Sequence, residues 1–179
     1  MQLSKIETEK ALQKFTKYVV SQSRANLTRG GKNVKRKLYE SISGESTTSQ
    51  NSISLSFSME DYGEFQDLGV KGKTSANKAP NSPFRFGSGT GKKGGLTQSI
   101  KEWVSNRRFQ FKDRETGRFL SYEQTAFLIT RSIYHKGITT TRFFSNPFEK
   151  GFEKLPEELV EAYALDVENF LKMSKLNGK

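Results

Sequence analysis

Glu60, Asp61, Glu64 and Asp67 crowd four carboxylates around Tyr62, the kind of group a nuclease uses to hold Mg²⁺. Hard-cation sites, however, draw oxygen ligands from several elements, and an acidic turn between a strand and a loop produces the same spacing. Gly87 to Gly95 (Gly-Ser-Gly-Thr-Gly-Lys-Lys-Gly-Gly) has glycines and lysines that could cradle an anion. It matches neither the P-loop spacing, which closes on Gly-Lys-Ser/Thr, nor the dinucleotide fingerprint, and the nearest strand pattern, around Leu55 to Phe57, lies far upstream. The single histidine, His135, precedes Lys136-Gly137 at a predicted helix end, where an imidazolium would favour the last carbonyls. Cysteine is absent, which excludes thiol nucleophiles, thiolate metal sites and disulfides. These patterns predict no catalytic residue, no metal and no cofactor, and so a chain that is not an enzyme.

What remains is charge and aromatic surface. The net charge is +11, unevenly spread. Lys14, Lys17, Arg24, Arg29, Lys32, Lys35, Arg36 and Lys37 follow one another with no intervening acid, and between Lys71 and Lys112 the only acid is Glu102. From Glu149 to Glu168 the sign reverses, with Glu149, Glu153, Glu157, Glu158, Glu161, Asp166 and Glu168 facing only Lys150 and Lys154. Runs of one charge are commonly solvated faces. They also make the chain electrically polar, and polar subunits can stack head to tail, positive side against negative. Lys35, Arg36, Lys37, Lys92, Lys93, Arg107 and Arg108 are candidate contacts to DNA phosphates, with Trp103 or Phe109 available for stacking on bases.

These residues need elements to carry them. With 179 residues and an aromatic share of 12%, including 14 Phe, the chain can form one domain with an aromatic-rich core. Leu3, Ile6, Leu12, Phe15, Val19 and Ala25 predict an amphipathic N-terminal helix ended by Gly30-Gly31. Leu38 to Ile42 reads as a helical turn or the start of a strand. Ile53, Leu55, Phe57 and Met59 alternate with Ser54, Ser56 and Ser58, the period of a half-buried strand. Residues 69–95 are rich in Gly, Pro, Ser, Asn and Lys and predict a long, basic, mobile surface loop, with Gly69 and Gly72 allowing positive φ at its entrance. Leu96, Ile100, Trp103 and Val104 mark a helix, and Phe109 to Phe119 a small hairpin. Ser121-Tyr122-Glu123-Gln124 is a capping box opening a helix that Gly137 ends. Pro156 opens a C-terminal helix whose apolar face is predicted at Leu155, Leu159, Tyr163, Val167, Phe170 and Leu171. The expected fold is therefore α+β: a small antiparallel sheet packed with an N-terminal helix, a central helical region and a long C-terminal helix, in a single domain spanning 1–179. No secretory signal or membrane-spanning stretch is predicted.

Taken together, several segments resemble the head–tail connector and tail-completion (neck) proteins of tailed phages, the minor-capsid superfamily of lambda-like tails. The resemblance rests on Gly30-Gly31 with Leu38 and Ile42, on Met59 to Val70 (Met-Glu-Asp-Tyr-Gly-Glu-Phe-Gln-Asp-Leu-Gly-Val), and on Leu96 to Arg108 with Ile100 and Trp103. It continues through Phe127 to Lys136 and Gly137-Ile138-Thr139 to Phe143-Phe144 and Pro147-Phe148, and so covers nearly the whole chain. It implies a structural virion protein, assembled in the host cytoplasm into a homo-oligomeric ring between portal-side and tail-side proteins, around the DNA channel. Tyr62, Phe65, Phe143, Phe144, Phe148, Glu157, Glu158 and Glu161 are then the candidate subunit interface. The three phenylalanines are alternatively core, and the acidic residues are expected to meet the Lys14 to Lys37 region either across a subunit interface or within the fold. A sequence-nonspecific DNA-binding protein of phage origin is the alternative function.

Overall fold

The N-terminal stripe becomes α1 (Ile6–Arg29), and the computed structural model describes residues 5–31, 36–49, 52–89 and 95–176 in all. Chain contacts divide into two compact units where one domain was expected: unit 1 is residues 1–60 with 143–179, and unit 2 is residues 61–142.

In unit 1, α1 is followed by α2 (Lys37–Ser41), a single helical turn, and by β1 (Ser43–Thr48) and β2 (Ile53–Ser58), which pair antiparallel with Ser43 opposite Ser58 and Thr48 opposite Ile53. The alternation of β2 does its expected work: Leu55 and Phe57 are half-buried while the serines between them are exposed. After unit 2 the chain returns as α6 (Ser145–Phe152) and α7 (Leu155–Leu176). Phe15, Phe57, Phe144 and Phe148 form an edge-to-face network with centroids 5.4–6.1 Å apart, the geometry that aromatic quadrupoles favour. Leu27, Leu38, Ile42 and Phe143 form a second cluster.

α1 begins without a cap of its own, since Lys5 offers no side-chain acceptor. Asp166 of α7 takes that place. Its carboxylate accepts from the Glu7 and Thr8 N–H groups at 2.9 and 3.0 Å and from the Thr8 hydroxyl at 2.8 Å. Lys14 also meets Glu158 at 3.1 Å, so the two helices run antiparallel. The buried line of α7 is therefore Leu155, Leu159, Ala162 and Asp166, and the predicted face needs correcting: Tyr163 and Leu171 stand exposed. Small Ala162 and the capping carboxylate turn a different side of the helix toward α1.

Unit 2 runs through α3 (Gly63–Asp67), β3 (Val70–Lys71), α4 (Gly95–Arg107), α5 (Tyr122–Lys136) and β4 (Gly137–Ile138), with β3 and β4 paired antiparallel. The described part of the predicted loop, residues 69–89, is tied to the rest of unit 2 at several points. Lys71 N–H donates to Phe84 O, Phe86 N–H to Lys71 O, Lys73 N–H to Tyr134 O and Thr140 N–H to Lys78 O, while Ala79 and Ser82 are buried. Gly72 earns its place through closeness rather than through a positive φ: a Cβ there would collide with the backbone of His135. Gly137, at φ +86°, ends α5 as expected, and its Cβ would strike the Val70 carbonyl.

Two outcomes follow. Burial alone would raise the Asp166 pKa, but the three hydrogen bonds and the Lys10 charge outweigh it and hold the carboxyl below its usual value. A depressed carboxylate stabilises the fold above its unfolded pKa of about 3.9 and loses that contribution as pH falls through the lower folded value. Asp166→Ala should therefore cost about 2 kcal/mol at pH 7, read as a lower urea midpoint, with the gap to wild type narrowing below about pH 4. Gly72→Ala should cost about 1–3 kcal/mol by overpacking and speed amide exchange at Lys71, Lys73 and Phe86, while Gly95→Ala, in α4 with nothing near its Cβ, should leave that exchange unchanged and raise stability slightly.

Candidate interaction surfaces

The described residues contain no group of three His, Cys, Asp or Glu placed to hold a metal, and no helix long and apolar enough to cross a membrane. Asp67, from the acidic cluster, is buried in α3, and its carbonyl accepts from the Thr141 and Arg142 N–H groups. His135 lies in the last turn of α5, where its carbonyl accepts from the Thr74 N–H and hydroxyl. Three exposed surfaces stand out.

The first is the hairpin between α4 and α5. Asp113 organises its turn: one carboxylate oxygen accepts from the Glu115 N–H, the Thr116 N–H and the Thr116 hydroxyl at 3.1, 2.7 and 2.9 Å. The Thr116 bonds, backbone first, lower the Asp113 pKa. Asp113 N–H donates to Arg118 O, Leu120 N–H donates to Phe111 O, and Gly117 supplies the positive φ at the turn. The hairpin is anchored to α5 by Phe111 N–H on the Thr125 hydroxyl, beside the capping box in which Ser121 and Gln124 satisfy each other's backbone N–H groups. This frame leaves its aromatics outside. Phe119 is 64% exposed under the Lys112 ammonium, and Trp103, Phe109 and Phe111 form a partly exposed chain with centroids 6.3 and 5.2 Å apart. Arg107, Arg108, Lys112, Arg114 and Arg118 are interspersed with them in the sequence.

Arg108 closes α4 in an unusual way. Its N–H donates to Ser105 O and the Phe109 N–H to Val104 O, the paired bonds of a Schellman cap, which requires a left-handed residue at Arg108. Glycine is the usual occupant, and arginine at φ +51° costs about 1 kcal/mol. Among the described residues the non-glycine positive-φ positions are Arg36, Arg108 and Arg142. Local strain kept at a charged, exposed side chain points to a use for that side chain.

The second surface is on α1 and α2. Tyr39 lies between two guanidinium groups, Arg36 at 4.8 Å and Arg24 at 5.3 Å from its ring centroid, and Arg24 donates to the Ile42 carbonyl. Ser21, Thr28 and Arg29 complete a shallow open depression beside it. Arg36 also approaches Glu40 at 3.8 Å, so its charge is already engaged. Lys37 is exposed.

The third is the outer side of α7. Val160, Tyr163 and Leu171 are 72%, 49% and 53% exposed, and with half-buried Val167 they recur at helical spacing to form a second apolar stripe. Exposed Glu157, Glu161 and Glu168 run along one flank.

The sequence-derived candidates thus scatter. Lys35, Lys92 and Lys93 lie outside the described residues. Arg36 and Lys37 belong to unit 1, and Arg107 and Arg108 to unit 2. Phe143, at 2% exposure, is core, which corrects its place in the interface, while Phe144 and Phe148 pack on Phe57 and are half-buried. Phe65 packs edge-to-face on Phe84 at 4.6 Å, and Tyr62 is partly exposed. Glu158 pairs with Lys14 within the fold, whereas Glu157 and Glu161 face outward. The residues that sequence reasoning passed over are Phe119, Arg114, Arg118 and Val160. The alternation of aromatic and basic residues from Phe109 to Phe119 was the available signal. Comparison with protein-family models, curated proteins and solved structures finds no match to this chain.

Arg108→Gly should relieve the left-handed strain and raise stability by about 1 kcal/mol, seen as a higher thermal midpoint. An unchanged or lower midpoint would show that the arginine carries its backbone conformation without strain.

Proposed function

We propose that this chain is a structural subunit of a tailed-phage particle, assembling into a ring at the head–tail junction between portal-side and tail-side proteins. The observation that carries this reading is the pair of exposed apolar surfaces of opposite charge, the basic aromatic hairpin and the acidic stripe of α7. Apolar side chains scattered singly need no explanation, but grouped ones rimmed by charge mark contacts with other proteins. Unlike surfaces that dock on each other generate rings when the rotation closes. The resemblance of Met59 to Val70 and of Gly137 to Phe148 to the neck and tail-completion proteins supports the phage setting. Co-expressed with the portal-side and tail-side proteins of its own genome, the chain should give annular particles by negative-stain imaging. Monomers alone, or aggregates formed only with DNA, would refute the ring.

A second reading has its own observation. The Trp103, Phe109 and Phe111 rings beside Arg107 and Arg108 combine stacking faces with cations, the pattern of sequence-tolerant nucleic-acid binding. Under that reading the isolated chain should bind DNA without sequence preference, with affinity falling steeply as salt rises. Sequence-specific, salt-insensitive binding would speak against it.

A further inference from the structure

The α7 stripe and the hairpin complement each other in both apolarity and charge. With about 100° between successive helical residues, Val160, Tyr163, Val167 and Leu171 fall in one line, and Glu157, Glu161 and Glu168 in a parallel line beside it. Glu168 is paired with Lys172 at 2.6 Å, but Glu157 and Glu161 have no ion-pair partner among the described residues. The hairpin offers the converse. Phe119 and Phe109 are exposed on it, and Arg114 and Arg118 precede Phe119 in sequence, also with no ion-pair partner among the described residues. Asp113, just before them, already has its carboxylate occupied by its own turn, while Glu115, between them, is exposed, so that Lys112, Arg114 and Arg118 leave the hairpin a single net positive charge.

We propose that the hairpin of one copy, residues 109–120, docks on the acidic apolar stripe of α7 in a second copy, with Phe119 on the Val160 and Tyr163 side chains and Arg114 and Arg118 against Glu157 and Glu161. The contact is heterologous: each copy presents a hairpin to one neighbour and α7 to the other, so it propagates in one direction and gives a ring where the rotation closes. Opposite charges at the rim select the partner and the register, and the apolar centre holds it. This inference rests on the assembly reading above and names the surfaces that would perform it.

Charge reversal tests it, because both surfaces are exposed and reversal leaves the fold intact, as helix circular dichroism would verify. Arg114→Glu with Arg118→Glu, and separately Glu157→Lys with Glu161→Lys, should each weaken self-association about ten-fold in sedimentation and reduce ring yield with the neighbouring proteins. All four changes together should restore association to within about three-fold of wild type, since the signs are complementary again. The absence of native cysteine gives a direct probe. A tagged copy carrying Phe119→Cys and an untagged copy carrying Tyr163→Cys should be joined by a bis-maleimide into a dimer of unequal chains. Rings that form normally from both reversed variants would overturn this contact and leave the ring reading standing, whereas a wild type that forms no ring with its neighbours would overturn both. Linkage only within a chain carrying both cysteines would also overturn the contact. So would a hairpin reversal that abolishes oligonucleotide binding but leaves self-association unchanged, which would assign the hairpin to nucleic acid.

Discussion

Unit 1 depends on one carboxylate. The ends of α1 and α7 are separated by most of the chain, yet Asp166 caps the first turn of α1 from the side of α7. A carboxylate that accepts two successive N–H groups fixes the sliding of one helix along the other and also its rotation. That rotation decides which apolar residues of α7 are used internally. Leu155, Leu159 and Ala162 turn inward with Asp166, and Val160, Tyr163 and Leu171 are left for something else. The exposed stripe is thus a consequence of the cap, because α7 has more apolar surface than α1 can cover.

Unit 2 is held by different means. Its buried apolar residues are few and mostly small, with Val70, Ala79, Val104 and Ala126 among them, while Phe119, Phe127, Phe109 and Trp103 remain outside. Backbone fits to backbone: the strand at Val70 and Lys71 is pressed against Gly137 and Ile138, and Gly72 and Gly137 are the residues without a side chain to block the approach. A unit that spends its aromatics on the surface buries less apolar area of its own and has correspondingly more to gain from a partner.

Local signals in the sequence were read well because their causes are local. The alternation of β2, the capping box at Ser121, the stop at Gly137 and the hairpin around Asp113 each depend on residues within a few positions. The α+β class follows from them. β1 escaped notice because its inward positions are Gly44 and Ser46, residues chosen for smallness against Phe57 and Leu55 and invisible to a hydrophobic pattern. Residues 69–89 looked mobile because their partners, at Tyr134, His135 and Ile138, lie far along the chain and bond to backbone rather than to side chains. The α7 face was misplaced for a related reason: an aspartate on an apolar line reads as a defect until its partner helix end is known. Of the candidate surface, Trp103, Phe109, Arg107 and Arg108 were legible as a basic aromatic group, whereas the phenylalanines near the C-terminal helices could not be divided into core and surface without the fold.

The order of the units along the chain has a further effect. Unit 2 is continuous in sequence, but unit 1 is made from both ends, with all of residues 61–142 intervening. During synthesis unit 2 can close as soon as it emerges, whereas the apolar side of α1 has no α7 to cover it until the last helix appears. At roughly 10 residues per second, α1 waits more than ten seconds for Asp166. Through that interval β1 and β2 can shield Phe15 through Phe57, but the side of α1 that α7 covers, with the uncapped Glu7 and Thr8 N–H groups, stays open to solvent or a chaperone.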